Sequence, residues 1–223
     1  YQEIPQELSY NSVMVNLLKT ALTFNDVLIA PAYSEIESRE EVSVHQYNCV
    51  GPHSLDIPII SANMDTITGL NMVEAMDNLG GMGILHRYMS VEDTQMTVKH
   101  GIALGYEKIA VAVGCLKKDK NRIDSLVQGF EEDKIIICLD IAHGNSKHIK
   151  DTTNYIRKTL GFRGTLIGGN VCTREGARNL FSWGCNVVKV GIGPGSACTT
   201  RLKTGCGFPQ FTAISECALE GPV

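Results

Sequence analysis

Short apolar runs alternate with amphipathic stretches along most of this chain, and this alternation limits the possible folds more than any other feature. Six apolar runs predict strands at residues 57–61, 83–86, 108–113, 135–139, 165–168 and 186–190. The amphipathic stretches predict helices at residues 70–79, 91–100, 120–130, 146–160, 174–183 and 211–218. The strands are continuously apolar rather than alternating, which is typical of a parallel sheet covered on both faces.

Two architectures suit a row of strand–helix units: an open doubly wound sheet and a (β/α)8 barrel. No Gly-x-Gly-x-x-Gly pattern opens the first unit, so the glycines do not separate the two. A complete barrel typically needs about 250 residues, whereas this chain has 223 and ends where a seventh strand would begin. The barrel alternative therefore predicts a lead-in segment at 1–50 and a barrel at 51–223 that is incomplete at its carboxyl end.

Composition excludes several classes of protein. Hydrophobic residues make up 43%, charged residues 20%, and the formal net charge is −4, so no basic surface indicates a nucleic-acid partner. No signal-peptide pattern and no membrane-spanning apolar run occur. The eight cysteines form no Cys-x-x-Cys pair, and several lie within apolar runs. We expect reduced thiols and a cytoplasmic location.

Polar or glycine-rich clusters follow the predicted strands. Because the active site of a parallel α/β fold forms at the carboxyl ends of its strands, these clusters are expected to converge on one pocket. Taken singly, Asp65, Asp140 and Asn170 could cap helices, and His86 and His143 could satisfy buried hydrogen bonds. The clusters comprise residues 63–65, 86–87, 114–115, 140–143, 168–170 and 191–201.

Cys198 differs from the cysteines that lie in apolar surroundings. We expect packing roles for Cys115, Cys138, Cys172, Cys185 and Cys217. Cys198 instead follows the glycines of the loop "GIGPGSACTTR" at 191–201. Such a loop lets a ligand approach the backbone, and its N–H groups and carbonyls can bind an anion or a hard cation. Cys198 is the predicted nucleophile, although the sequence does not show which group lowers its pKa.

Several segments resemble the IMP dehydrogenase / GMP reductase family. The most specific is "KVGIGPGSACTTRLKTGCGFPQ" at 189–210, which is similar to the family's catalytic loop. Further similar segments are "LTFNDVLIAPAYS", "IPIISANMDTIT", "GGMGILHRYMS", "ICLDIAHGNS" and "IGGNVCT". The resemblance covers roughly residues 22–218 and implies the (β/α)8 barrel.

Within the family, the pattern CTTRxxTGxGxPQ resembles the reductase branch. Arg201 stands where dehydrogenases usually carry a glutamine-containing segment, and residues 86–113 leave no room for the CBS modules that most dehydrogenases insert. The segment "GGMGILHR" is more similar to dehydrogenases. The alternatives are a dehydrogenase without CBS modules, which converts IMP and NAD to XMP, and an inactive nucleotide-binding scaffold.

The resemblance to the reductase branch implies NADPH-dependent reductive deamination of GMP to IMP. It implies that Cys198 attacks C2 of the purine to form a thioimidate, while Thr200 handles the proton of the leaving ammonia. It also implies that Met64, Asn170 and Ser196 bind the nucleotide.

The resemblance further implies two bound groups and an assembly. A K⁺ ion would be held at Gly193, Gly195, Cys198 and Arg201. NADPH would be contacted at Arg87, Asp140, Ile141, Ala142, Ile192 and Gly193, and by Ser38 and Arg39 from a neighbouring subunit. This last pair implies a homo-oligomer, usually a tetramer in the family.

Overall fold

A computed structural model of the chain describes residues 20–106 and 108–223. Its strands form a small antiparallel hairpin and a larger parallel sheet whose order follows the chain. The hairpin comprises β1 (Gln46–Val50) and β2 (His53–Leu55). The parallel sheet comprises β3 (Ile60–Ser61), β4 (Met82–Leu85), β5 (Ile109–Val113), β6 (Ile135–Asp140), β7 (Leu166–Val171) and β8 (Val187–Val190).

All six strands of the parallel sheet were predicted from the apolar runs. The first is shorter than expected, because Pro58 has no N–H to donate and the residues before Ile60 instead form a turn in which Ile59 N donates to Ile57 O at 2.8 Å.

Helices connect the parallel strands, as predicted. They are α1 (Leu70–Asn78), α2 (Val91–Ala103), α3 (Lys120–Gly129), α4 (Lys147–Asn154), α5 (Arg174–Trp183), α6 (Thr200–Thr204) and α7 (Gln210–Cys217). A π-helical turn, Tyr155–Thr159, extends α4. Short 3-10 turns occur at Phe24–Asp26, Arg39–Glu41 and Lys117–Asp119. Only α6 was not predicted; it lies within the segment 191–209 between β8 and α7, which carries Cys198 and is called the cysteine loop below.

At the starts of two helices, a side chain accepts a hydrogen bond from a backbone N–H group that has no partner within the helix. Ser90 caps α2 by accepting a hydrogen bond from Asp93 N at 2.9 Å. Thr173 caps α5 by accepting from Gly176 N at 3.2 Å. The capping alternative for Asn170 is therefore wrong, because Thr173 occupies the cap position.

Strand residues alternate between two hydrophobic clusters, one on each face of the sheet. Ile135, Ile137 and Leu139 of β6 pack in the cluster that contains helix residues. Ile136 and Cys138 pack in a second cluster, built almost entirely from strand residues. The second cluster joins residues of β4 to β8, so the sheet curls around it. A doubly wound sheet would carry helices on both faces, and this curled sheet carries them on one.

The hairpin covers the amino end of the curled sheet. Val50 and Leu55 belong to the inner cluster. His53 Nε2 lies 3.0 Å from Oγ1 of Thr165, just before β7. The hairpin was not predicted, and it crosses the expected boundary at residue 50. It leaves the carboxyl ends of the strands as the accessible end of the barrel.

The lead-in segment contacts the barrel at its start and is exposed further along. Leu22 N donates to Thr212 Oγ1 at 2.7 Å, and the Phe24 ring meets Phe211 edge-on at 5.8 Å between centroids. By contrast, Leu28 and Ile29 are 98% and 96% exposed. Of the predicted lead-in, residues 1–19 lie outside the described part.

The last residues of the chain return to the edge of the parallel sheet. Val188 N, on β8, donates to Pro222 O at 3.0 Å. This contact lies where the barrel interpretation expects a seventh strand to begin. In the described residues, no helix combines the length and the apolar character needed to cross a bilayer.

Candidate active site

A cavity of about 490 Å³ opens at the carboxyl ends of the strands. Three of the predicted polar clusters meet there, since Met64 and Asp65 follow β3, Asp140 ends β6, and Asn170 belongs to β7. Tyr88 adds an aromatic ring. The expectation that separate clusters converge is confirmed for these positions.

The cysteine loop starts at the end of β8 and is closed by hydrogen bonds across its neck. Gln210 Nε2 donates to Val190 O at 3.0 Å, and Phe208 N donates to Ile192 O at 3.1 Å. Gly193 has a φ of 73°, a conformation that residues with a side chain rarely adopt. These constraints hold both ends of the loop on the barrel while Cys198 stays exposed.

Thr200 is the partner of Cys198 that the sequence could not show. Cys198 Sγ lies 3.2 Å from Thr200 Oγ1. Hydrogen bonds from the Thr200 side chain and backbone, with a smaller contribution from the charge of Arg201, lower the pKa of the Cys198 thiol. A lower pKa increases the thiolate fraction at neutral pH, and the thiolate is the nucleophile.

Five other cysteines have pKa values that are raised rather than lowered. Burial raises the pKa of both Cys115 and Cys138 to about 12. Burial also raises the pKa values of Cys172, Cys185 and Cys217. The predicted packing roles agree with the burial of Cys115, Cys138, Cys185 and Cys217, because a protonated thiol inside an apolar core is unreactive. Cys172 is only partly buried.

Arg201 holds the outer part of the cysteine loop together. Its Nη2 donates to Phe208 O at 3.3 Å. A Cβ on Gly193 would lie 2.8 Å from Arg201 Cγ, and one on Gly207 would lie 2.7 Å from it. The two glycines therefore leave the space through which the arginine side chain passes.

The carbonyls predicted to hold K⁺ are compatible with a hard cation. Gly195 O accepts from Cys198 N, and Arg201 O accepts from Gly205 N, both at 3.0 Å. A carbonyl oxygen has two lone pairs, so each can still face a cation. Residues 20–106 and 108–223 contain no cluster of three or more His, Cys, Asp or Glu side chains suited to a metal.

The residues predicted to contact NADPH fall into three places. Asp140, Ile141 and Ala142 follow each other at the end of β6, where Ile141 N donates to Gly169 O at 3.1 Å. Ile192 and Gly193 lie in the cysteine loop. Arg87, after β4, has a buried Nε without a hydrogen-bond partner among the described residues. An unpaired buried donor is costly, so this position suits a ligand that accepts a hydrogen bond.

The remaining predicted contacts are exposed. Ser38 Oγ accepts from Glu40 N at 3.3 Å and caps the turn that begins with Arg39. Both residues lie in the exposed lead-in segment. Ser196 is exposed within the cysteine loop, and Met64 is 54% exposed at the cavity.

Lys189 is a charged residue of this site that was not predicted from the sequence. It lines the cavity, and its Nζ donates to Asp140 Oδ1 at 3.0 Å and to Asn170 Oδ1 at 3.1 Å. A signal was available, because Lys189 is two residues from the inward-facing Val187 and successive strand residues alternate in direction.

The fold and this site together define a parallel α/β barrel whose sixth barrel strand leads into a loop with an exposed cysteine of lowered pKa. A family model described as "IMP dehydrogenase / GMP reductase domain" matches residues 21–221. The chain belongs to this family, as the sequence resemblance indicated.

Individual relatives agree with this assignment. A GMP reductase of Vibrio vulnificus is 36% identical over 200 residues, and human GMP reductase 1 is 36% identical over 202 residues. In both comparisons the match covers 88% of this chain but 57% of the relative, so the chain spans little more than half the length of these proteins.

A solved structure confirms the barrel. The crystal structure of inosine 5′-monophosphate dehydrogenase from Legionella pneumophila matches with a TM-score of 0.80 and 39% identity. The match covers 89% of this chain and 59% of that one. The parallel sheet described above is therefore part of a (β/α)8 barrel.

Proposed function

We propose that this chain belongs to an oxidoreductase that converts GMP to IMP with NADPH, as a GMP reductase. The observation that carries the proposal is Cys198 paired with Thr200 on the cysteine loop, which begins two residues after Lys189 of the polar cavity. Support for the reductase branch comes from the relatives named GMP reductase and from Arg201 after Thr200. In this reaction GMP, NADPH and two protons give IMP, NADP⁺ and ammonium.

The first half of the reaction replaces the amino group at C2 of the purine. The Cys198 thiolate forms a bond to C2, the exocyclic nitrogen takes up a proton, and the bond from C2 to that nitrogen breaks so that ammonia leaves. Thr200 lies 3.2 Å from the sulfur and can hold that proton or pass it on. The product of this half is a thioimidate between Cys198 and the purine, which divides one difficult substitution into two steps.

The second half needs a hydride at C2, and NADPH would supply it. The bond between C2 and sulfur then breaks, which releases IMP and returns Cys198 as a thiolate. Asp140, Ile141, Ala142, Ile192, Gly193 and Arg87 would contact the cofactor. The unpaired Arg87 Nε supports a ligand with acceptor atoms at this position. Met64, Asn170 and Ser196 would hold the purine nucleotide.

K⁺ would bind to the loop through carbonyl oxygens at Gly193, Gly195, Cys198 and Arg201. This choice of ion follows from the donor set, since hard cations prefer oxygen ligands. A cation there would limit the motion of the loop that carries Cys198. Its expected effect is therefore on the position of the nucleophile rather than on proton transfer.

The proposed assembly is a homo-oligomer, with a tetramer as the expected state. Its support is the exposure of the lead-in segment, where Leu28 and Ile29 show 98% and 96% of their surface. Apolar side chains this exposed are expected to pack against another surface. Ser38 and Arg39, in the same segment, would then contact the cofactor of a neighbouring subunit.

The test is a spectrophotometric assay on the product of the complete reading frame that encodes this chain. We expect GMP to cause loss of NADPH absorbance, and Cys198→Ala to reduce kcat by more than about a thousandfold. Cys206→Ala is the matched control, because Cys206 is the other exposed thiol of the loop. Unchanged turnover in Cys198→Ala would overturn the mechanism.

Assays on the same protein preparation distinguish the reductase from the two alternatives, a dehydrogenase and an inactive scaffold. Production of NADH and XMP from IMP and NAD⁺, without a reaction of GMP, would assign the chain to a dehydrogenase. Nucleotide binding without either reaction would indicate an inactive scaffold.

A further inference from the structure

Three residues on neighbouring strands form one row across the inside of the barrel. Asp140 on β6 pairs with Gly169 on β7, and Gly169 pairs with Lys189 on β8. All three continue the inward-facing positions of their strands, which Cys138, Ile167 and Val187 occupy two residues earlier. The row lies at the carboxyl ends of the strands, in the wall of the cavity.

Glycine in the middle of this row lets the lysine reach across. A Cβ on Gly169 would lie 2.6 Å from Lys189 Cβ, which is closer than two carbon atoms that are not bonded to each other can approach. With no side chain there, Lys189 extends over β7 and ends between Asp140 and Asn170. Its side chain is 32% exposed and that of Asp140 is 21% exposed, so the ion pair is partly shielded from water.

The ammonium group determines which atoms of its neighbours face the cavity. Lysine can only donate hydrogen bonds, so the atom of Asn170 beside it must be the carbonyl oxygen. The Asn170 amide NH₂ is then left to donate to a ligand in the cavity. For Asp140, one oxygen is occupied by Lys189 and the other remains an acceptor.

We propose that Lys189 is a positioning residue that fixes Asn170 as a hydrogen-bond donor to the purine nucleotide and Asp140 as an acceptor from the dinucleotide cofactor. This inference rests on the proposed function, because that function places the nucleotide at Asn170 and the cofactor at Asp140. One lysine thereby couples the two binding sites. Acceptor atoms of the nucleotide and hydroxyl or amide donors of the cofactor are the groups that this arrangement recognises.

The coupling predicts a specific kinetic pattern for Lys189→Met, which keeps much of the side chain's length but has no charge. Without the ammonium, Asn170 can rotate and Asp140 loses its partner. We expect KM to rise about tenfold for both GMP and NADPH, which is the usual scale for losing a charged hydrogen bond. The turnover number should change less, since Cys198 and Thr200 do not contact Lys189 in the hydrogen-bond network.

Two variants make the comparison specific. Lys189→Arg should recover part of the lost affinity, because it retains the charge and can donate to both partners. Lys99→Met is the matched control, since Lys99 is an exposed lysine of α2, and it should leave both KM values unchanged. Retention of wild-type KM values by Lys189→Met would overturn the proposal.

A double-mutant cycle tests the route through Asn170. Asn170→Ala should raise KM for GMP in the wild-type background and have a several-fold smaller effect in the Lys189→Met background. Equal effects in the two backgrounds would show that Lys189 does not orient Asn170, and would overturn the inference while leaving the proposed reaction intact.

A structural readout remains if the proposed reaction itself fails. The two side-chain NH resonances of Asn170, assigned by their loss in Asn170→Ala, report its orientation by NMR. We expect Lys189→Met to shift them and reduce their separation, and Lys99→Met to leave them unchanged. Identical resonances in wild type and Lys189→Met would overturn the positioning role, whatever the substrate is.

Discussion

Arg157 provides the sharpest test of how the last two described strands are held in place. It lies in the π-helical turn after α4, and its guanidinium donates to backbone carbonyls at Gly184, Phe162 and Gly164 at 2.9, 2.9 and 2.8 Å. A further bond of 2.6 Å reaches Asn186 Oδ1. These acceptors lie just before β7 and β8, whose other ends carry Lys189 and the cysteine loop.

The magnitude follows from the number and exposure of these bonds. A hydrogen bond to a charged group contributes about 1.5–3 kcal/mol when shielded from water. Burial lowers the pKa of Arg157, which means that desolvation of its charge offsets part of this gain. The bond to Asn186 is exposed and contributes least. For Arg157→Met we therefore expect a loss of about 3 kcal/mol in the free energy of unfolding.

Urea unfolding followed by the fluorescence of Trp183, the chain's one tryptophan, measures this loss. The midpoint should fall while the m value stays the same. Arg157→Lys should recover little, because a single ammonium cannot reach acceptors on both sides. Arg163→Met is the control, since Arg163 is exposed, and it should cost less than about 0.5 kcal/mol. Equal losses for Arg157→Met and Arg163→Met would refute the reasoning.

Three further predictions concern titratable groups. Thr200→Val should raise the pKa of Cys198, so the pH at which its iodoacetamide labelling is half-maximal should increase; an unchanged midpoint would contradict Thr200 as its partner. Hydrogen bonds from two arginines of α5 lower the pKa of Glu220 to about 2, so the stability it provides is present above about pH 4.5 and is lost as the pH falls towards 2. Melting temperatures of Glu220→Gln should lack this part of the acid dependence, and identical acid profiles would count against the pairing. Peptide mapping after labelling at pH 8 should find Cys138, whose pKa is raised to about 12, unmodified until urea unfolds the protein. Labelling of native Cys138 at the rate of Cys198 would contradict its burial.

The regular part of the fold was predictable because its signals are local. A continuously apolar strand followed by an amphipathic helix identifies each unit without knowledge of its neighbours. The hairpin β1–β2 was missed because the buried side chains described on it, such as Val50 and Leu55, indicate a fold only once a curled sheet exists for them to cover. The sequence pattern did not separate a barrel from an open sheet, because that choice also depends on how strands far apart in the chain come together.

The chemistry of the cysteine was predictable in part for a similar reason. Cys198 stands outside every apolar run, which separates it from the buried thiols by sequence alone. Its relation to Thr200 depends on α6, a helix of five residues that carries no amphipathic signal. The partner of the thiol was therefore visible only after the loop was folded.

Gly169 shows that the identity of a residue and its position in a strand can suggest different structural roles. In the sequence, Gly168 ends the predicted strand and Gly169 follows it, both within the glycine-rich cluster at 168–170. In the structure both residues lie within β7, and Gly169 faces into the barrel between Asp140 and Lys189. Its missing side chain creates the path that brings a positive charge from β8 to a negative one on β6. The alternation of strand residues could have assigned all three to the inside, and an inward row of acid, glycine and base across three parallel strands is a pattern that predicts such a bridge.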